Sequence, residues 1–85
     1  MQIECRFFAS VREQLGVSQE TLQLPADVRT VAQARSWLQA RGTVWASALA
    51  DGRAIRTAYN QQMCPPEQLL AEGGELAFFP PVTGG

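Results

Sequence analysis

The residues best suited to chemistry stand at the end of the chain, where Gly84 and Gly85 follow the run Pro80-Pro81-Val82-Thr83. Glycine has no Cβ, so a segment carrying two of them can thread an extended path through a tunnel too narrow for other residues. What such a segment delivers is its last functional group, the α-carboxylate of Gly85. A carboxylate is ionised at neutral pH and is a poor electrophile, so it must be activated before a nucleophile can take its carbonyl. The alternative is a frayed terminus ending in glycine by chance, which at an average glycine usage of about 7% arises in roughly one chain in 200. The stiff Pro80-Pro81 pair just before it favours the first reading.

The rest of the sequence offers little catalytic equipment of its own. There is no histidine, so the commonest neutral-pH base and the commonest zinc ligand are both missing. Proton transfer or metal chemistry must then come from a partner. Cys5 and Cys64 are far apart and form no CxxC pair, which rules out zinc and iron–sulfur sites on ligand count. Cys5 falls in a strand pattern on the apolar side and reads as a small buried hydrophobe, whereas Cys64, beside Pro65-Pro66, reads as partly exposed. All seven basic residues are arginine. Either the chain avoids offering an ε-amine to its own activated terminus, or arginine codons dominate its genome.

Composition bounds the remaining possibilities. Eighty-five residues suffice for one small core, and a 46% apolar share with no low-complexity run is that of a folded domain. A net charge of −1 with scattered arginines argues against a nucleic-acid surface, which needs clustered cations to release counterions. No stretch approaches the ~18 apolar residues of a membrane span, and the start Met1-Gln2-Ile3-Glu4 lacks a signal-peptide pattern, so a reduced, cytoplasmic protein is expected.

Several elements must hold the terminal segment in place. Gln2 to Ala9 alternates, with Ile3, Cys5 and Phe7 on one side and Glu4 and Arg6 on the other, which predicts a half-buried strand. Ser10 to Leu15 reads as a short helical turn capped by Ser10 and stopped by Gly16. Glu20 to Leu24 alternates again, and the short link predicts an antiparallel hairpin with the first strand. Thr30 is placed to cap a helix running to about Arg41, with Val31, Ala34, Trp37 and Leu38 on its apolar face and Gly42 as a left-handed stop. A second helical stretch spans Thr43 to Ala50. Trp37 and Trp45 read as core or rim packing rather than a ligand cage. Arg53 to Tyr59, centred on Ile55, is the third strand; Asn60-Gln61 turns into a short strand through Met63. A helical turn is expected around Glu67 to Ala71, and Gly73-Gly74 breaks the chain before a last strand, Glu75 to Phe79. Setting aside the short strand through Met63, the order is β-β-α-β-β with small helical pieces between. This is an α+β pattern in which a mixed sheet packs on one main helix, the β-grasp or ubiquitin-like architecture. It divides into a domain over 1–79 and an extended tail over 80–85.

Strand parity then separates two pairs of phenylalanines. Adjacent strand residues point to opposite faces, so only one of Phe7 and Phe8, and only one of Phe78 and Phe79, can join the helix-covered side. Phe7 keeps company with Ile3 and Cys5, and Phe78 with Leu76. Phe8 and Phe79 are therefore expected on the outer, otherwise polar face, as an aromatic docking patch at the root of the tail. Met63 is a further candidate for that patch. From Pro80 to Gly85 an extended segment reaches roughly 18–20 Å, enough to enter a deep pocket while the body docks outside. Pro80 and Pro81 limit the entropy lost on insertion, and Val82 and Thr83 supply one apolar and one hydrogen-bonding handle.

The run Gly74-Glu75-Leu76-Ala77-Phe78-Phe79-Pro80-Pro81-Val82-Thr83-Gly84-Gly85 resembles the ending of the molybdopterin synthase small-subunit family, the sulfur carriers of molybdenum cofactor biosynthesis. Phe7-Phe8-Ala9 followed by Val11-Arg12-Glu13 is similar to that family's first strand and turn. The resemblance implies a sulfur-donating, non-catalytic subunit that binds no cofactor itself. A ubiquitin-activating-type adenylyltransferase would use ATP to adenylate Gly85, and a sulfur donor would convert the adenylate to a thiocarboxylate. The large synthase subunit, in a heterotetramer of two small and two large chains, would then receive Pro80, Pro81, Val82, Thr83 and Gly84 in its tunnel. There the terminal sulfur would attack a cyclic pyranopterin precursor to build the dithiolene. Phe8, Arg12, Met63 and Phe79 would contact both partners. Neither nucleic acid nor membrane is implied. Two rivals stay open: a carrier serving thiamin or transfer-RNA thiolation or modifying proteins, and a β-grasp interaction module with an inert tail.

Overall fold

A computed structural model describes residues 1–81. Five strands and three helices follow one another as β1 (Gln2–Phe7), α1 (Ala9–Leu15), β2 (Gln19–Gln23), α2 (Val31–Gln39), α3 (Thr43–Ala48), β3 (Arg56–Tyr59), β4 (Gln62–Met63) and β5 (Glu75–Phe79). The strands form one sheet in the order β2-β1-β5-β3-β4. β1 and β5 run parallel while the other pairs are antiparallel. The last strand thus lies in the middle of the sheet, held by neighbours on both sides, and the expected β-grasp is the fold observed.

Alternation along β1 determines which residues enter the core. Ile3, Cys5 and Phe7 are buried, and the register sets Ile3 opposite Leu22, Cys5 opposite Leu76 and Phe7 opposite Phe78. Val31, Ala34 and Leu38 of α2 complete the same cluster from above the sheet. Spacings of three and four residues bring them onto one helical face. The Phe7 and Phe78 rings stack 6.0 Å apart, and Trp45 meets Phe7 edge-on at 5.6 Å. Trp37 and Trp45 are half-buried against the core, as packing residues should be. They also sandwich the Arg41 guanidinium at 5.2 and 4.7 Å, and that guanidinium holds both carboxylate oxygens of Glu20 at 2.9 and 2.6 Å.

Local chemistry explains most of the element boundaries and corrects several expectations. Thr30 caps α2 as expected, in a reciprocal box with Gln33, and Gly16 ends α1 at φ 76°. Ser10 is not the cap of α1. Phe8 occupies that position in extended conformation, and the helix starts one residue earlier than the sequence suggests. Gly42 does not stop α2 in a left-handed turn. The helix ends at Gln39 with Ala40 as its C-cap, and Gly42 instead N-caps α3. α3 is correspondingly shorter than the stretch to Ala50. Arg53 to Ile55 lie outside β3 because Arg53 N–H donates to Ala50 O and Ile55 N–H to Arg53 O, a turn rather than a ladder. The helical turn expected over Glu67–Ala71 is absent. Gln68 N–H closes a turn on Pro65 O, and the chain then runs extended to bridge Leu69 with Thr30. Two-residue hairpin geometry is met at Asn60-Gln61, with φ of 50° and 67°.

Candidate functional site

β5 carries the chain to Pro80 and Pro81 from the centre of the sheet, so the root of the tail is anchored by two ladders at once. Arg56 pairs with Phe79 on one side, and Phe7 pairs with Phe78 on the other. Phe8 N–H then donates to Phe78 O at 3.1 Å, extending the β1 ladder by one bond before the chain turns into α1. That turn is made by Ala9 at φ 51°, a left-handed conformation that non-glycine residues rarely adopt. It directs Val11 into the core while Arg12 stays exposed.

Parity separates the phenylalanines as the sequence predicts. Phe7 and Phe78 are buried, Phe8 is 41% exposed, and Phe79 is half-buried. Met63, 59% exposed, lies opposite Ala58 in the β3–β4 hairpin, and Ala58 lies opposite Ala77. Residues directly opposite in a ladder share a face. The outer face therefore carries a row Met63–Ala58–Ala77–Arg6, and beside it Arg56 and Phe79 with Phe8 at the margin.

The far half of this face is polar. Glu4 accepts hydrogen bonds from Thr21 Oγ1 at 2.5 Å and Gln19 Nε2 at 2.9 Å. Those two bonds, the Thr21 bond foremost, hold its carboxyl below the usual carboxylate range. The half of the face next to the tail is thus apolar and bordered by arginines, rather than uniformly polar as the alternation alone suggests. Arg6 Nε sits 3.7 Å from Glu75 Oε2 at the junction of the two halves.

The structure thus gathers Phe8, Phe79 and Met63 on one surface, with Arg12 at its edge on α1. Pro80 and Pro81 leave from that surface. Val82, Thr83, Gly84 and Gly85 lie outside the described residues. Sequence reasoning passed over Arg56, Ala58 and Ala77 as site residues. An available signal was the alternation of Ile55 and Thr57, which sets Arg56 and Ala58 on the opposite side.

Among the described residues no acid–base or nucleophilic constellation competes with the tail. Cys5 is fully buried and burial pushes its thiol up, so it stays protonated. Cys64 is half-buried with its Sγ 3.6 Å from Thr57 Oγ1. A groove of about 730 Å³ runs between α2 and the β3–β4 hairpin and adjoins the tail root, since Arg56, Met63 and Pro81 are among its lining residues. It contains that single thiol beside Arg35, whose guanidinium is occupied by the carbonyls of Leu49 and Ala50. Among the described residues no cluster could hold a metal ion, and no helix is long and apolar enough to cross a membrane.

Known proteins with this pattern cover the whole chain. The ThiS family matches residues 5–85. The molybdopterin synthase sulfur carrier subunit of Haemophilus influenzae is 44% identical over 79 residues, spanning 93% of this chain and 94% of its own. The protein of the same name from Escherichia coli is 42% identical over 83 residues, spanning 98% and 99%. The crystal structure of SAMP1 from Haloferax volcanii superposes with a TM-score of 0.80 at 29% identity, covering 100% of both chains. With a match that runs from the second half of β1 through the central strand β5 to the terminal glycines, the chain belongs to the ThiS family.

Proposed function

We propose that this chain is the sulfur carrier subunit of a molybdopterin synthase. The observation that carries the reading is the placement of the tail. The central strand of a β-grasp sheet delivers Pro80 and Pro81 from the edge of an exposed aromatic patch, in a chain more than 40% identical to two carrier subunits over nearly their full length.

In this reading the carboxylate oxygen of Gly85 attacks the α-phosphorus of ATP on an activating enzyme. Pyrophosphate leaves and an acyl-adenylate forms. A sulfide equivalent from a sulfur donor then adds to the acyl carbon and AMP departs, leaving a thiocarboxylate. Adenylation turns a carboxylate oxygen, a poor leaving group, into a good one. The sulfur anion is softer and more nucleophilic than the oxygen it replaces. ATP is needed only by the activating enzyme, since this sequence has no Gly-rich phosphate loop. Gly84 and Gly85 pass the narrowest part of the large subunit's tunnel, Pro80 to Thr83 line the inserted segment, and Phe8, Arg12, Met63 and Phe79 seat the body at its mouth. The thiocarboxylate sulfur attacks a carbon of the pyranopterin precursor there, and water then cleaves the acyl carbon–sulfur bond, leaving the sulfur on the pterin and returning Gly85 to a carboxylate.

Intact-mass measurement tests this directly. After incubation with ATP, an activating enzyme and a sulfur donor, the chain should gain the mass of one oxygen-to-sulfur replacement, and a variant lacking Gly85 should not. Added to the large subunit and precursor, the charged chain should yield the dithiolene. No mass gain where a control carrier is charged refutes the carrier reading. A mass gain without dithiolene formation assigns the sulfur to another pathway.

A further inference from the structure

The seven arginines do not share one role, and their partners separate them. Arg6 faces Glu75, and Arg41 is held by Glu20. Arg29 donates to Ala26 O, Arg35 to the carbonyls of Leu49 and Ala50, and Arg53 to Gln14 Oε1 and Ala48 O. Among the described residues only Arg12 and Arg56 have neither a carboxylate within 4.0 Å nor a side-chain hydrogen bond. Both are exposed, and both lie at the root of the tail.

Their placement is not symmetrical by accident of sequence, since 44 positions separate them. It follows from the sheet order. Phe79 is on β5, with β1 and its continuation into α1 on one side and β3 on the other. Arg12 follows Phe8 by one helical turn, its N–H bonded to Phe8 O at 3.3 Å. Arg56 is directly opposite Phe79 in the β3–β5 ladder and so shares its face. The two unpartnered cations therefore flank the aromatic patch from opposite sides of the tail-bearing strand.

An arginine that finds an internal partner contributes to the fold, whereas one directed to solvent beside an apolar patch does not. At a docking surface such a rim charge steers encounter and selects partners of opposite sign. Resting on the carrier reading above, we propose that Arg56 is a recognition residue for the large synthase subunit, which sets an Asp or Glu against it at the tunnel mouth. Arg56 then fixes the β3 side of the carrier while the β1–α1 side is held at Arg12, so that the tail enters along one direction. The fit is to an apolar depression with acidic residues on two flanks. A basic or purely apolar mouth would be rejected.

The test is binding of the full chain to the purified large subunit of the same organism at low and high ionic strength. Arg56→Ala should weaken binding about three- to fivefold at low salt, the range of one exposed ion pair. Arg56→Glu should weaken it about tenfold or more, chiefly through the association rate, and Arg56→Lys should restore most of the affinity. The differences should shrink at about 1 M salt, where screening acts within about 3 Å. Because Arg56 is exposed and unpartnered, thermal unfolding of the variants should match the parent. Equal affinity of parent and Arg56→Glu overturns the inference alone, as does a loss that Lys fails to restore. Failure of the parent chain itself to bind overturns the carrier reading and this inference together.

Discussion

Gly74→Ala is a one-carbon change with a large expected effect. A Cβ at position 74 would overlap the Tyr59 hydroxyl and fall 2.5 Å from its Cζ and 2.7 Å from its Cε1, separations that packed atoms do not tolerate. Tyr59 cannot yield cheaply. Its Oη accepts a hydrogen bond from Ala71 N–H at 2.7 Å and donates one to Ala71 O at 3.2 Å, closing the loop that leads into β5. Gly74 itself is tied on both sides, its N–H to Ala71 O and its carbonyl to Glu4 N–H at 2.9 Å. Displacing the ring forfeits two hydrogen bonds, about 1–3 kcal/mol together, and about 1–2 kcal/mol of packing. Alanine returns only about 0.4–1 kcal/mol by restricting the unfolded chain. The net cost is roughly 1–4.5 kcal/mol, a large part of the stability of a domain this size, and lowers Tm by about 5–35 °C. Denaturant unfolding of the parent, Gly74→Ala, Tyr59→Ala and the double variant gives the coupling. With the ring removed, the methyl group at 74 has room and should cost nothing. An equal cost of Gly74→Ala in both backgrounds refutes the steric account.

Other expectations follow from single sites. Gln61 holds φ 67° in the two-residue turn between β3 and β4, so Gln61→Gly should stabilise the chain by about 0.5–1 kcal/mol in thermal unfolding. Arg41→Ala removes the contacts to Trp37, Trp45 and Glu20 and should cost about 1–2 kcal/mol in the same assay. The hydrogen bond from Arg41 lowers the Glu20 pKa in the fold below 4.5. A depressed folded pKa means this contribution is intact above about pH 4.5 and is lost as pH falls through the folded value, so Arg41→Ala should flatten the acid limb of a stability–pH curve. Phe79→Asp should leave the fold intact and weaken large-subunit binding by about 2 kcal/mol or more, roughly 30-fold, by calorimetry.

Where local patterns were dense, the sequence already contained the structure. The alternation through Ile3, Cys5 and Phe7 located β1, and the Thr30 cap with its helical spacing located α2, because in both places one buried face repeats over several residues. Boundaries set by tertiary contacts were not legible. Ser10 has the chemistry of a cap, but the chain turns already at Ala9 and Phe8 O accepts from Val11 and Arg12 N–H, so Phe8 takes the capping position and Ser10 lies inside the helix. The stretch after Pro66 has helix-forming residues, yet the bridge of Leu69 to Thr30 pulls it extended. The split of Phe7 from Phe8 and of Phe78 from Phe79 was readable because parity is a property of one strand. Alternation about Ile55 and Thr57 sets Arg56 on the outer face, but its place opposite Phe79 needed the pairing of β3 with β5, which no local pattern states.

The sheet order also bears on how a tail of this kind can work. A tail leaving an edge strand would be held by a single ladder, and each withdrawal from a tunnel would load that ladder alone. Here β5 is bonded to β1 on one side and β3 on the other, and its inward residues Leu76 and Phe78 are fully buried. Loads on Pro80 therefore spread across the core instead of peeling one strand. The same arrangement fixes Phe79 and Arg56 relative to the first residue of the tail, because the two are ladder partners and Pro80 follows Phe79 directly. In the proposed function, a carrier that visits an activating enzyme and then a synthase needs both partners to read the body and find the terminus at a constant offset. Placing the last strand at the centre of the sheet supplies that offset through backbone hydrogen bonds, which leaves the outer side chains available for recognition.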